Sequence, residues 1–249
     1  MPMGNNNWSY ASPKGRVSFV NGSKIRVSDF RNYALIQNSF TYIWDDSEWD
    51  YGGGDYVFER DKFHADLFKF EMQGRGIILK PDAGAVFTVE FPFTGEGGVV
   101  NAGEGTLKFA TGAYQLGGVC EVASGTVDFS AAGRLDEVKL RGAGVVKGLN
   151  AARARISVSA GEDWSVEAVP EFDGKVPDRV TVDFGRSGSS LSNELPKGIV
   201  LGKVPAGTDV SRWRVANTGF AKVSGRFSVS ADGTVSVDIE RVGLAVIVR

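Results

Sequence analysis

The stretch GGVVNAGEGTLKFATGAYQLGGVCEVASGTVDFSAAGRLDEVKLRGAGVVKGL, residues 97–149, contains a recurring unit. Each copy is a small turn followed by a short strand, as in GEGTLKF, SGTVDFS and RGAGVVKGL. Gly105, Gly125 and Gly144 hold equivalent places at nearly equal intervals. A period of about 20 residues indicates a solenoid, in which each coil buries its inner face against its neighbours. Glycine at the corner suits a tight turn between short strands.

Outside this stretch, apolar residues alternate with polar ones along most of the chain. The pattern is clear in VSFVNGSKIRVSDF, LFKFEMQ, AVFTVEFPF and RFSVSADGTVSVDIE, whereas no window sustains the apolar spacing of a helix. The sequence therefore predicts an all-β fold, with a right-handed parallel β-helix as the first choice and a β-sandwich as the alternative. A sandwich would show comparable turn signals, about every 8 to 12 residues.

The solenoid hypothesis makes a specific prediction about the core. Strands stacked about 4.8 Å apart align equivalent side chains into ladders. We expect one continuous core that includes Val99, Leu107, Val119, Val127, Val138 and Val145.

The repeats also carry a resemblance to a known family. The G-x-G-T-L-x-F strand, the V-x-x-G-T-V-x-F strand one repeat later and the G-A-G-x-V coil resemble the repeats of autotransporter-associated β-strand proteins. These are passenger-type right-handed parallel β-helices of bacterial surfaces. The resemblance implies a non-enzymatic scaffold or adhesin-like piece of a longer protein at the cell surface or outside the cell.

The C-terminal part has a different pattern. Asp232-Gly233 lies between two alternating segments, which predicts a β-hairpin, and GLAVIVR predicts a further strand with Leu244, Val246 and Val248 on one face. Antiparallel hairpins would cover the open end of a coil stack. We therefore expect a flexible segment at 1–14, solenoid coils at 15–165, and C-terminal coils with a hairpin cap at 166–249.

Composition excludes several classes of function. The single cysteine, Cys120, is expected to be a buried structural thiol, and the single histidine, His64, leaves little room for His-based catalysis or metal binding. The formal net charge of −2 creates no overall field for nucleic acid. No apolar run reaches the roughly 20 residues of a membrane-spanning helix, and the first residues lack the pattern of a secretory signal.

The segment TYIWDDSEWDYGGGDYVFERD, residues 41–61, is the main candidate for a site. Asp46, Glu48 and Asp50 approach the spacing of a calcium loop, although the glycine comes one position late. Paired carboxylates are also what a glycosidase uses. Calcium is thus the one cofactor left open, and a β-helical enzyme acting on polysaccharides with acids from 45–55 is an alternative function.

Aromatic residues accompany these acids. Tyr42, Trp44, Trp49 and Tyr51 could stack on sugar rings or anchor a protein, or they could pack the body of the protein while the acids stay in water. Because four acids within six residues repel one another, we expect residues 45–55 to form an exposed loop with Trp49 and Tyr51 at its tip. The expected ligand is a glycan or a protein surface. A carbohydrate-binding β-sandwich is the third hypothesis.

Overall fold

The computed structural model describes residues 15–26, 40–60, 68–190 and 194–242. In these ranges the chain forms strands and turns and contains no helix. The predicted flexible segment 1–14, His64 and the predicted strand at 243–249 lie outside the described residues.

Sheet A is the largest sheet and is parallel throughout. In the described ranges it consists of β1 (Gly15–Phe19), β2 (Lys24–Arg26), β3 (Phe40–Asp50), β5 (Phe68–Leu79), β7 (Phe93–Gly95), β8 (Val99–Asn101), β10 (Tyr114–Leu116), β11 (Val119–Val122), β13 (Leu135–Gly142), β15 (Ala151–Ser157), β19 (Val180–Ser190) and β21 (Arg214–Phe220). Some coils use one long strand and others split it in two. Thus β5 pairs with both β7 and β8.

Sheet B forms the opposite wall and is also parallel. Its described strands are β4 (Tyr56–Phe58), β6 (Val86–Val89), β9 (Thr106–Phe109), β12 (Thr126–Asp128), β14 (Val145–Lys147) and β18 (Glu171–Asp173). Leu107 pairs with Val127, and Val127 pairs with Val146, so positions one repeat apart lie side by side. The all-β solenoid prediction is confirmed, and the β-sandwich alternative is wrong because the stacked strands run parallel.

Glycines at the corner allow the coils to stack closely. Gly125 has a φ of 57°, and a Cβ there would lie 2.3 Å from the carbonyl oxygen of Gly105. A Cβ on Gly144 would lie 2.6 Å from the carbonyl oxygen of Gly125. Backbone hydrogen bonds continue through the corner, from Thr126 to Gly105 and from Val145 to Gly125. The repeated glycine that predicted the fold is therefore required by backbone contact between coils.

The core lies between sheets A and B. Val99, Leu107, Val127 and Val138 are buried in it as predicted. Val119 and Val145 are only half-buried, and their neighbours Cys120 and Val146 point inward instead. The prediction for these two residues is wrong because a shift of one residue turns every side chain of a strand to the other face.

A small antiparallel sheet closes the C-terminal end. It contains β20 (Ile199–Lys203), β22 (Val223–Val229) and β23 (Thr234–Arg241), and β22 and β23 form a hairpin around Asp232-Gly233. The predicted hairpin is thus confirmed. Val235, Val237 and Ile239 of β23 are buried. A second antiparallel pair, β16 (Ser159–Ala160) with β17 (Val166–Glu167), projects between β15 and β18.

Candidate functional site

Residues 41–61 belong largely to the body of the solenoid. Strand β3 runs to Asp50, and only residues 51–55 turn before β4 begins at Tyr56. The expectation that residues 45–55 form an exposed loop is wrong. Basic side chains on neighbouring strands separate the acids and remove the repulsion on which that expectation depended.

The four aromatic residues predicted to bind a ligand pack inside the protein. Trp44 is 0% and Trp49 1% exposed, and Tyr42 and Tyr51 are also buried. The Trp49 ring makes edge contacts with Phe58 and Phe87 of sheet B at 5.6 and 5.4 Å between centroids. These rings therefore fill the first coils instead of reaching into solvent.

A β-bulge explains why Trp49 points inward. Trp44 and Trp49 are separated by an odd number of positions, which would place them on opposite faces of a regular strand. The register between β3 and β5 shifts between Asp45 and Ser47, and Asp46 has a φ of 47°. The left-handed backbone at Asp46 breaks the alternation of β3, so that Ser47 and Trp49 continue the inner face, while β5 places three residues, 74–76, opposite Asp46.

The three carboxylates of the candidate calcium site are paired with basic side chains. Glu48 accepts hydrogen bonds from Lys24 and Lys80, and Asp50 lies 3.4 Å from the Lys24 ammonium group. Asp46 lies 3.3 Å from Arg75. Partial burial opposes ionisation of Glu48, but the two lysines outweigh it and lower its pKa. Within the described residues, no group of three or more metal-binding side chains converges.

A second ion-pair row crosses the same outer face. Glu121 on β11 accepts hydrogen bonds from Arg75 on β5 and Arg141 on β13. Between β5 and β11, the chain before β8 bends at Gly97, and a Cβ on Gly97 would lie 2.3 Å from the backbone nitrogen of Gln73. The Arg75 side chain extends past this bend to Glu121. Burial alone would raise the pKa of Glu121. The two guanidinium groups lower the pKa by more than burial raises it, so the net shift is downward. Ion pairs on this face therefore link neighbouring coils.

Cys120 confirms the prediction of a structural thiol. Its side chain is buried in the core between the two sheets, and burial raises its pKa to about 12. A thiol with this pKa is protonated at neutral pH and is a poor nucleophile.

A wide, open cleft lies at the other end of the molecule, where the β16–β17 hairpin, the later part of sheet A and β20 meet. Its half-buried lining, here called the floor, includes the apolar residues Val166, Leu195 and Phe220, and the exposed Val200 also lines the cleft. Its rim carries charged groups of both signs: Glu162, Asp163, Arg186 and Lys197.

Trp164 is the central aromatic residue of this cleft. Its ring stacks on Phe220 at 5.6 Å and 16° between planes, and it meets Phe184 edge-on at 5.3 Å. The Arg186 guanidinium carbon lies 4.0 Å from the ring centroid, and its Nη2 donates to the carbonyl oxygens of Ala160 and Gly161. The backbone of Trp164 has a φ of 65°, an unusual value for a bulky side chain. The surrounding contacts hold the ring in this position.

The turn before Trp164 is fixed by Asp163. Its carboxylate accepts hydrogen bonds from the Ser165 backbone nitrogen at 3.0 Å and from the Ser165 hydroxyl at 2.6 Å, and these bonds lower the pKa of Asp163. Sequence reasoning did not select this cleft. GEDWSVEAVP and GRSGSSLSNELPKG differ in composition from the repeats, but only the fold brings them together.

By its fold the chain is a parallel β-solenoid with an antiparallel cap. No protein family, curated protein or solved structure shows significant similarity to it. None of the described segments is a helix of the length and hydrophobicity needed to cross a membrane.

Proposed function

We propose that this chain is a non-enzymatic β-solenoid scaffold, an adhesin-like piece of a bacterial surface or secreted protein, that binds a glycan through the loops around Trp164. The observation that carries the scaffold proposal is the unbroken parallel ladder of sheet A, from β1 to β21, over a single apolar core. Such a stack is stiff because each coil is hydrogen-bonded to both neighbours. The bacterial surface is suggested by the resemblance of the repeats.

The cleft supports the proposed contact with sugars. Aromatic and aliphatic groups on its floor suit the apolar faces of sugar rings, and the charged groups on its rim suit their hydroxyls. The 161–165 turn and the segment from Glu194 to Gly198 line the cleft, which places recognition on loops held by a rigid body.

The alternative of a polysaccharide-acting enzyme that uses acids from 45–55 has less support. Glu48 lies between Lys24 and Lys80, and Asp50 faces Lys24 and Arg26. These carboxylates stabilise neighbouring coils and face the outside of sheet A, away from the cleft.

A glycan array tests the proposed binding. Labelled protein is applied in calcium and in a chelator, together with Glu162→Gln and Lys197→Gln as rim variants. Glu104→Gln, an exposed acid at a corner of the solenoid, is the matched control. We expect a defined set of glycans to bind, with a loss of signal for both rim variants and an unchanged signal for the control.

The same glycans are then incubated with the protein and assayed for new reducing ends. We expect none. Cleavage that is lost in Asp50→Asn, with the protein still folded, would replace the scaffold by the enzyme. Binding that survives in both rim variants would remove the cleft from the proposal.

A further inference from the structure

Five exposed arginines lie where strands β13, β15, β19 and β21 of sheet A begin. The arginine row consists of Arg134, Arg153, Arg179, Arg212 and Arg214. Ala154 pairs with Val180, so Arg153 and Arg179, the residues before them, stand side by side on β15 and at the start of β19. On the next strand, β21, Arg214 pairs with Thr181 of β19. Arg212 lies two residues before Arg214 and therefore stands beside Arg179. Together these arginines line two adjoining hollows.

The arginine row departs from the charge pattern of the rest of the sheet. At several other places on this face opposite charges pair from coil to coil, as in Lys24, Glu48 and Lys80, or in Arg155 and Asp183, although Lys139 also lies opposite Arg155. Among the described residues, by contrast, none of the five arginines has a carboxylate within ion-pair distance. Glu137 lies opposite Arg153 in the ladder, and Asp209, whose pKa is lowered mainly by hydrogen bonds from Ser211, is also attracted by Arg212. Glu137 and Asp178 are the only described acids that line the two hollows.

This arrangement has a cost in the free protein. Like charges placed opposite each other on neighbouring strands repel and destabilise a sheet. Guanidinium groups bind carboxylate and sulfate groups through two parallel hydrogen bonds. An anionic ligand that spans the row would therefore remove the repulsion and gain several charge-assisted bonds at once.

The geometry selects a linear ligand. Neighbouring strands of a sheet are about 4.8 Å apart, so Arg153, Arg179 and Arg212 present cations at regular steps along the solenoid axis. A chain with repeated anionic groups can follow these steps. The described residues that line the two hollows include no aromatic ring on which a nucleobase could stack. This favours an acidic polysaccharide over single-stranded nucleic acid.

We propose that the arginine row binds a linear acidic polysaccharide, with its carboxylate or sulfate groups held across successive coils. This site is separate from the Trp164 cleft, because the two share no lining residue. Its test does not depend on the outcome of the glycan array with the rim variants of the cleft.

The test measures binding of polygalacturonate, dextran sulfate, uncharged dextran and poly(dT) by calorimetry, at about 50 and about 500 mM salt. The key variant combines Arg153→Ser, Arg179→Ser and Arg212→Ser. The control combines Lys69→Ser, Lys147→Ser and Lys203→Ser, which removes three exposed charges at scattered positions. The two variants have the same net charge. A difference in their affinity therefore shows that the positions of the removed charges matter, and not only their number.

We expect the wild-type protein to bind the acidic polysaccharides at low salt and not the uncharged dextran. The arginine variant should bind at least about tenfold more weakly, since each lost contact is a charge-assisted hydrogen bond. The lysine control should stay within about twofold, since scattered exposed charges contribute little. Without ligand, the arginine variant should melt at the same temperature as the wild type or higher, because repulsion is relieved.

Three results would overturn the proposal. The first is no binding of either acidic polysaccharide by the wild type at low salt. The second is an equal loss of affinity in the two variants, which would show general electrostatic attraction. The third is tighter binding of poly(dT) than of the polysaccharides, which would assign the row to nucleic acid.

Discussion

A single bulge decides where Trp49 points, and with it the role of the surrounding acids. The register shift after Asp45 turns Trp49 inward and leaves Glu48 and Asp50 outside, between Lys24, Arg26 and Lys80. The sequence predicts two strands with aromatic faces in this region. It does not predict the bulge, since no local signal marks Asp46. Nor does it predict that Lys24 on β2 and Lys80, the residue after β5, neutralise these acids.

Replacing Trp49 by alanine tests its burial. The side chain is 1% exposed and contacts Phe70 on sheet A and Phe58 on sheet B, so we expect a loss of about 3 to 5 kcal/mol in the free energy of unfolding. Denaturant unfolding followed by circular dichroism measures this. Val57→Ala, at an outward and 42% exposed position on β4, is the control and should cost less than about 1 kcal/mol. Near-parental stability of Trp49→Ala would restore the exposed-loop interpretation.

Glu121 makes stability depend on pH in the acid range. Its pKa in the folded protein lies below the ordinary value of 4.5, because Arg75 and Arg141 favour its ionised form. The stabilisation is therefore complete above about pH 4.5 and is lost as the pH falls through the lower folded pKa. At pH 7 we expect Glu121→Gln to cost about 1 to 2 kcal/mol, reduced by the partial exposure of both arginines.

The measurement is urea unfolding of the wild type and Glu121→Gln at several values between pH 7 and about pH 3. The difference between the two proteins should shrink as the pH falls. Glu104→Gln, at an exposed corner, should show no such difference at any pH. A constant difference between wild type and Glu121→Gln would contradict the proposed ion-pair origin.

At the level of strands, repetition in the sequence determines which strands stack. Which residues of each strand face the core depends on the neighbouring strands. The glycine period correctly predicts that β9, β12 and β14 lie side by side. On β11 the residue that points inward is Cys120, because it pairs with the buried Val99. On β14 it is Val146, because it pairs with the buried Val127. The sequence alone does not show which of the adjacent Val145 and Val146 points into the core. The pairing of β14 with β12 decides this.

Val127→Asp tests the ladder at its centre. Val127 is buried between Leu107 and Val146, and a carboxylate there would lose apolar burial and lack a partner. We expect a cost on the order of 5 kcal/mol or more, enough to unfold most proteins of this size. Thr126→Asp, one residue away and facing outward, should remain folded. Solubility, circular dichroism and thermal melting of both variants decide the matter, and a cooperatively folded Val127→Asp protein would count against the stack.

For the whole molecule, the sequence predicts the all-β solenoid and its hairpin end, because both depend on local repeats and turn residues. It does not predict the Trp164 cleft or the arginine row. Arg153, Arg179 and Arg212 are separated by unequal intervals, both longer than the period of the repeats, since loops and the β16–β17 hairpin interrupt the later coils. Only the strand order of sheet A aligns them.

The central claim is that coils succeed one another along a single axis. One row of aligned positions crosses sheet A through Lys24, Glu48, Ile78, Val100, Glu121, Arg141, Ser157, Asp183 and Ala216. Lys24 and Arg141 are five strands apart in this row, and Lys24 and Ala216 are eight apart. At about 4.8 Å per strand, the separations are about 24 Å and about 38 Å.

The measurement that tests this claim most directly is pulsed electron paramagnetic resonance between nitroxide labels on cysteines at these positions. One protein carries Lys24→Cys with Arg141→Cys, and the other carries Lys24→Cys with Ala216→Cys, both with Cys120→Ala. We predict two distinct distances, about 24 Å for Arg141 and about 38 Å for Ala216. Equal distances, or a shorter one for Ala216, would mean that the chain folds back on itself and would contradict the solenoid.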